Sequence, residues 1–401
     1  TINATSGVYS ILPANITVTR NSLGLDPGFA SGAKGMGGFG ATAVTYQSAT
    51  QKFILAGYFN NGTGQSMAVM RIEMNGDIDS SFGTQGTVIY DFPNSSISKA
   101  NAVLTVGSSI YVAGKAKSGN GNGNEKFAIL QLSSDGSYVQ SALTAFGDNA
   151  DSEAFGMAYG NRLFVVGTRT AGDRKTSIAY ATYTSNLGLT SLNTFSPTSG
   201  EDVRANAVSL MPAGAGYFAA GKIYTGSNSS DFLLLKFTSD GEFVNYRATD
   251  MGADDDEAFG LTMPMMNRVV VVGGSGGQIA MAGFTLDGVL DTVFGLNGKV
   301  LDRFRDISTD VAYAANVSDA QGRFIVVGKS IPPSGVRDAL VARYSADGSA
   351  DSTSPNRAIF NWGGDTIANG CFVQGDGNLI LAGTANHGTG NSNFAIARLL
   401  Q

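Results

Sequence analysis

Seven times this chain writes an apolar run that closes on glycine, and no other feature limits its fold so tightly. Two copies are Phe324-Ile325-Val326-Val327-Gly328 and Val269-Val270-Val271-Val272-Gly273; the other five end at Gly57, Gly114, Gly167, Gly221 and Gly383. Successive closing glycines stand 52 to 57 residues apart. A period of this length marks a repeat architecture, in which each unit buries its faces against its neighbours. The run is too continuously hydrophobic to have a wet face, so it is predicted as a strand covered on both sides.

The rest of each period supplies three more strands. Before the run comes a stretch of small residues, such as Ala41-Thr42-Ala43-Val44, Ala100-Asn101-Ala102-Val103 and Ala205-Asn206-Ala207-Val208, suited to a strand crowded near a symmetry axis. After it comes an alternating strand, as in Phe394-Ala395-Ile396-Ala397-Arg398-Leu399, and then a tight-turn signal such as Asn75-Gly76, Asp135-Gly136 or Asp347-Gly348. The last strand of each unit is the most polar, as an outer edge should be. With no helical period anywhere, the expected fold is all-β: a seven-bladed β-propeller of four-stranded antiparallel blades.

The two ends fit a ring. The chain stops after a third strand, while Leu25-Asp26-Pro27-Gly28-Phe29 has the form of the segments Ile78-Asp79-Ser80-Ser81-Phe82 and Leu290-Asp291-Thr292-Val293-Phe294 that lead into fourth strands. Residues 21–401 are therefore expected to form the propeller, with 25–40 supplying the outer strand of the last blade. Residues 1–20, with Ile16-Thr17-Val18-Thr19 strand-like, are an extension: an added edge strand or a connector to a preceding domain. A start at Thr1 reads as a mature product or a fragment.

The segments Gly76-Asp77-Ile78-Asp79-Ser80-Ser81-Phe82-Gly83 and Asp287-Gly288-Val289-Leu290-Asp291-Thr292-Val293-Phe294-Gly295, each followed by small residues and an apolar run, resemble the bacterial delta-60 repeat. The resemblance covers about residues 24–401 and is eroded in the third and fourth periods. It implies a β-propeller in secreted or surface proteins, often within adhesin-like chains, and brings no catalytic residues with it.

Composition narrows the partners. A net charge of −6 with only 14% charged residues offers no basic field for nucleic acid or anionic lipid, and no apolar run reaches the length of a membrane span. Residues 1–20 lack the pattern of a signal peptide. The single Cys371 forms no internal disulfide, and it sits in an apolar strand as an inert thiol. Abundant Ser, Thr, Asn and Gly fit an extracellular or cell-surface protein. Asn-X-Ser/Thr sequons begin at Asn3, Asn15, Asn61, Asn94, Asn228 and Asn316.

One acid recurs three residues before the small-residue alanine, at Asp151, Asp202, Asp255 and Asp365, with Asp310 two before its own. In a propeller these gather at one face, around the channel mouth. As a ring they are candidates for ligand binding, and Asp254-Asp255-Asp256-Glu257 or Asp148, Asp151 and Glu153 are candidates for Ca²⁺, which takes oxygen ligands. The alternative is structural: each Asp accepts backbone N–H groups and holds the turn into its blade, the commoner use of such a residue. Trp362 either stacks on a sugar at the mouth or plugs the space between blades. His387, the single histidine, lies in a Gly/Asn-rich loop, and the glycine clusters precede no helix that would hold a phosphate.

The expectation is a non-enzymatic binding or adhesion module, its contacts made by the loops 114–126, 222–231 and 384–393 with a protein or glycan at a surface, or with copies of itself. No cofactor is expected apart from Ca²⁺. The alternatives are a structural subunit of an appendage, filament or phage-like tail, and a glycan-active enzyme using acids at the mouth.

Overall fold

The computed structural model describes residues 11–13, 17–18, 24–26, 28–29, 34–62, 64–117, 123–197, 202–225, 229–252, 255–305, 308–352, 356–362, 364–386 and 392–400. Within them the chain is a succession of antiparallel four-stranded meanders. Asp151–Tyr159, Leu163–Thr170, Thr176–Tyr183 and Leu189–Phe195 form one sheet in sequence order. The next two sheets begin with Val203–Leu210 and Asp256–Met265 and repeat that order. The meanders beginning with Phe39–Gln47 and Ile97–Val106 are joined into one eight-stranded sheet by a single parallel pairing, Gln65 with Ile97.

The last two sheets gain strands from the front of the chain. Lys34–Gly37 lies antiparallel to Ser392–Leu400, with Gly37 opposite Asn393 and Lys34 opposite Ile396, and Gly24–Leu25 pairs with Leu400 and Leu399. Ile11–Pro13 adds beside Lys34–Gly37, and Thr17–Val18 beside Arg357–Asn361. At Ser392–Leu400 and Arg357–Asn361 an exposed row of backbone donors and acceptors is covered by chain from the front, and Ile11–Pro13 extends the first of these sheets by one more strand.

The hydrophobic cores lie between sheets, which explains why the second strands are apolar on both faces. Phe324 and Val326 pack toward Val270, Val272 and Met281 on one side, while Ile325 and Val327 pack toward Leu379 and Leu381 on the other. The last sheet shares a core with the first: Ile380, Ala382, Phe394 and Ile396 meet Phe53, Leu55, Ala68 and Met70, with Phe29 buried among them.

The repeated glycine has a specific cause. Every innermost strand carries a β-bulge one residue past its alanine, for example between Ala154 and Gly156 opposite Gly167 and Val166. The bulge swings the carbonyl of the preceding residue under the glycine of the second strand. A Cβ on Gly167 would stand 2.0 Å from the Glu153 carbonyl oxygen, and on Gly221 1.8 Å from that of Arg204. Only glycine admits the bulge.

The Leu-Asp-x-x-Phe-Gly element also has a physical reading. Asp79 N–H donates to the Arg71 carbonyl at 3.0 Å, its carboxylate takes the Arg71 guanidinium at 2.5 Å, and a tight turn then lays Phe82 4.8 Å from that guanidinium. Asp26, Arg398 and Phe29 repeat this arrangement across the two termini, with Asp26 N–H to the Arg398 carbonyl at 3.0 Å and Arg398 Nε to the carboxylate at 2.7 Å. Where the third strand has Gly283 instead of arginine, Arg268 comes from the neighbouring strand to Asp291.

Candidate functional site

The residues just past the bulge alanines converge on one cavity of about 420 Å³, to which every innermost strand contributes. These strands are Phe39–Gln47, Ile97–Val106, Asp151–Tyr159, Val203–Leu210, Asp256–Met265, Thr309–Val317 and Asp365–Val373. Because the bulge leaves one residue outside the ladder, that side chain is free to point at the neighbouring strand or into the cavity.

Four of the bulged residues are polar, and each ties its strand to the next. Thr42 donates to the Ala100 carbonyl at 2.8 Å, Asn101 to the Ala154 carbonyl at 2.9 Å, Asn206 to the Ala258 carbonyl at 2.8 Å, and Asn369 to the Ala41 carbonyl at 2.8 Å. The other three are aromatic. Phe155 lies 4.3 Å from the Arg204 guanidinium, and Phe259 meets Tyr313 edge-on at 5.1 Å.

Among the described residues lining the cavity, Lys99 and Arg204 carry the charge, and no carboxylate joins them. The carboxylates nearest in the repeat are engaged elsewhere. Glu153 takes Lys115 Nζ at 3.1 Å and Asn101 Nδ2 at 2.8 Å, while Glu257 takes Lys222 Nζ at 2.8 Å and Asn206 Nδ2 at 2.9 Å. Lys115 and Lys222 are thereby held above the ordinary lysine range, the attraction of their carboxylates outweighing burial. Lys99 moves the other way: burial pulls its pKa down, the cations Lys115 and Arg204 add to the effect, and Glu153 opposes it. Its ammonium stands 5.7 Å from the Tyr58 ring centroid.

The recurring aspartates do not line this cavity. Four of them latch neighbouring sheets: Asp151 accepts Glu125 N–H at 2.8 Å, Asp202 Thr176 N–H at 2.6 Å, Asp365 Arg337 N–H at 2.9 Å, and Asp255 the Ser230 hydroxyl at 2.8 Å. Asp310 is buried and accepts Phe304 N–H at 2.7 Å and the Ser308 hydroxyl at 2.9 Å. Trp362 is 1% exposed within the core between the last two sheets, so it offers no face for a sugar. The candidate calcium run is split by strand alternation. Asp255 points to solvent, Asp256 is buried on Met251 N–H at 2.6 Å, Glu257 faces Lys222, and Asp254 lies outside the described residues. Asp256 instead approaches Asp231 and Asp250, with carboxylate oxygens within 4.8 Å of one another. Burial, then the negative neighbours Asp250 and Asp231, push the Asp256 carboxyl up despite its hydrogen bonds. Cys371 is buried beside the cavity with its thiol pushed up to about 12, and His387 lies outside the described residues.

Sequence reading missed Lys99, Arg204 and the bulged Asn101, Asn206 and Asn369. The signal was present: these are the large residues that directly flank the small-residue alanines, Asn101, Asn206 and Asn369 one after and Lys99 and Arg204 one before.

Three segments, 52–82, 322–353 and 374–401, match a family described as a domain of unknown function (DUF5122) beta-propeller. No curated protein matches the sequence. A candidate 6-phosphogluconolactonase from Bacteroides fragilis aligns over 87% of this chain and 95% of its own, at 10% identity and a TM-score of 0.50. Sqt1 from Chaetomium thermophilum aligns over 90% and 95% at 12% identity and 0.49, and a Trypanosoma rangeli sialidase over 74% and 54% at 9% identity and 0.44. Such likeness speaks to fold alone, but it corrects the expectation of a non-enzymatic protein. A protein named as a candidate 6-phosphogluconolactonase shares this architecture, and a propeller can assemble acids and cations from many strands without a histidine. No helix among the described residues is long and apolar enough to cross a membrane. Four-stranded antiparallel sheets, inter-sheet cores and the matched segments together identify the chain as a β-propeller repeat protein.

Proposed function

We propose that the chain is a closed seven-bladed propeller of the delta-60 kind that serves at a cell surface as a binding module, taking its ligand at the axial cavity. The observation that carries this reading is the cavity itself, to which every innermost strand gives a bulged residue. Closure is supported by the core shared between the last and first sheets and by the Asn369 bond to Ala41. A volume of about 420 Å³ suits a sugar-sized molecule. Stiff, inward-facing walls with aromatic Phe155, Phe259 and Tyr313 give such a ligand faces to stack on.

A glycan and small-metabolite binding screen tests this, with Phe259→Ala and Tyr313→Ala as the variants. Ligand retained by the native chain and lost by both variants is expected; ligand that neither variant affects rules out the axial cavity. Analysis of the retained ligand for cleavage products then distinguishes binding from turnover.

A second reading, a subunit of an appendage, is favoured by one observation: the front of the chain already adds Ile11–Pro13 and Thr17–Val18 as extra strands on two outer edges. Concentration-dependent assembly in light scattering, abolished by deleting residues 1–20, is the outcome that reading requires.

A further inference from the structure

Building on the axial-cavity reading, we propose that the cavity is selective for a small organic carboxylate of sugar-acid size, gripped by Arg204 and Lys99. The argument begins with charge. In a chain of net charge −6, the described residues that line the cavity carry two cations and no carboxylate. A half-buried cation without a counter-ion is costly, and it persists where something compensates it.

The compensation visible in the structure is aromatic. Phe155 backs Arg204 at 4.3 Å and Tyr58 backs Lys99 at 5.7 Å. Cation–π contact steadies a cation without supplying a counter-charge, so neither aromatic ring takes the place of an anion. Arg204 Nε is buried with no hydrogen-bond partner among the described residues. A guanidinium presents its terminal N–H groups as a planar fork that matches the two oxygens of a carboxylate, a fit that Lys cannot copy.

The adjacent carboxylates do not satisfy these cations. The positions that follow in the repeat, Glu153 and Glu257, are saturated by Lys115 with Asn101 and by Lys222 with Asn206. The arrangement occurs twice, once around Lys99 and once around Arg204: a lysine and an asparagine hold the glutamate of the next sheet, and a second cation on the inner strand is left facing the cavity. Burial and the neighbouring cations weigh against the charged form of Lys99, and an anion between Lys99 and Arg204 would relieve that. The remaining walls, Phe259, Tyr313, Leu261 and Val44, suit a carbon skeleton better than a bare inorganic ion.

The test is calorimetric titration of the full chain at low ionic strength with glucuronate, glucose and inorganic phosphate. Glucuronate binding that exceeds binding of the other two, and that falls about tenfold or more in Arg204→Met and in Lys99→Met, is expected. Arg204→Lys should lose most of the affinity while keeping the charge, and unchanged thermal unfolding of the variants excludes misfolding. Absence of glucuronate binding, phosphate binding at least as tight, or glucuronate binding indifferent to both substitutions overturns the assignment. If the cavity instead retains a neutral ligand that only Phe259→Ala and Tyr313→Ala abolish, the carboxylate assignment fails and the axial-cavity reading stands. If none of the four variants alters any retained ligand, both fail.

Discussion

At the scale of single residues, the repeat glycines and the buried aspartates make opposite predictions. Gly167 sits over the Glu153 carbonyl, and a methyl group placed 2.0 Å from that oxygen must push the two strands apart. Gly167→Ala is therefore expected to cost about 2–4 kcal/mol in urea unfolding, as overpacking at a backbone contact does. Asp256 is buried with a raised pKa, so its contribution runs against the usual carboxylate pattern. A carboxyl that binds its proton more tightly folded than unfolded stabilises at low pH, and that contribution is lost as pH rises through the folded value. Asp256→Asn keeps an acceptor for Met251 N–H without the charge, so it should raise the unfolding midpoint at neutral pH and flatten the loss between mildly acidic and neutral pH. A midpoint unchanged at both pH values would contradict this.

At the scale of elements, the Leu-Asp-x-x-Phe-Gly segment is a clasp. Burial alone would raise the Asp79 carboxyl, but hydrogen bonds from Lys52, Ser81 and Arg71 outweigh it and hold it well below the usual carboxylate range. This stabilisation is present above the unfolded carboxylate value of about 4 and is lost as pH falls below it toward the folded value. Arg71→Met should cost about 3 kcal/mol, the low end for breaking a buried pair because Lys52 remains, and should shrink the acid-side slope of stability. Chemical denaturation at neutral and acidic pH checks both parts. The clasp also reaches across to the next meander: Gly83 N–H donates to the Asp135 carbonyl at 2.9 Å, and Phe82 covers Gly136, whose positive φ and lack of a side chain the contact requires.

At the scale of the molecule, the question is what holds the two termini together. Lys34–Gly37 pairs with the last strand, Asp26 pairs with Arg398, and Phe29 is buried in the core between the last and first sheets. Removing residues 1–38 would expose the edge of Ser392–Leu400 and strip that core of Phe29. The shortened chain is expected to unfold at a markedly lower temperature and to associate through the bared edge, seen by calorimetry and light scattering. The milder Asp26→Asn should lower the midpoint without causing association. An unaltered midpoint in the shortened chain would refute closure by the front segment.

The periodic alternation of small, apolar, alternating and polar stretches was by itself sufficient for the all-β architecture, because it records which faces each strand must bury and does not depend on distant partners. The Asp-Gly turns and the repeat glycines were legible for the same reason, being demands of local backbone geometry. The candidate site was not. The recurring aspartates were visible as a pattern, but whether they faced an axis or a neighbouring sheet depended on the latches to Glu125, Thr176 and Arg337, which lie 26 to 28 residues away in the chain. Strand alternation separated the four consecutive acids, and only packing brought Asp231 and Asp250 to Asp256. Lys99 and Arg204 read as ordinary charges until the inner strands stood side by side, because a charge becomes a site only when three-dimensional packing assigns its counter-ions elsewhere.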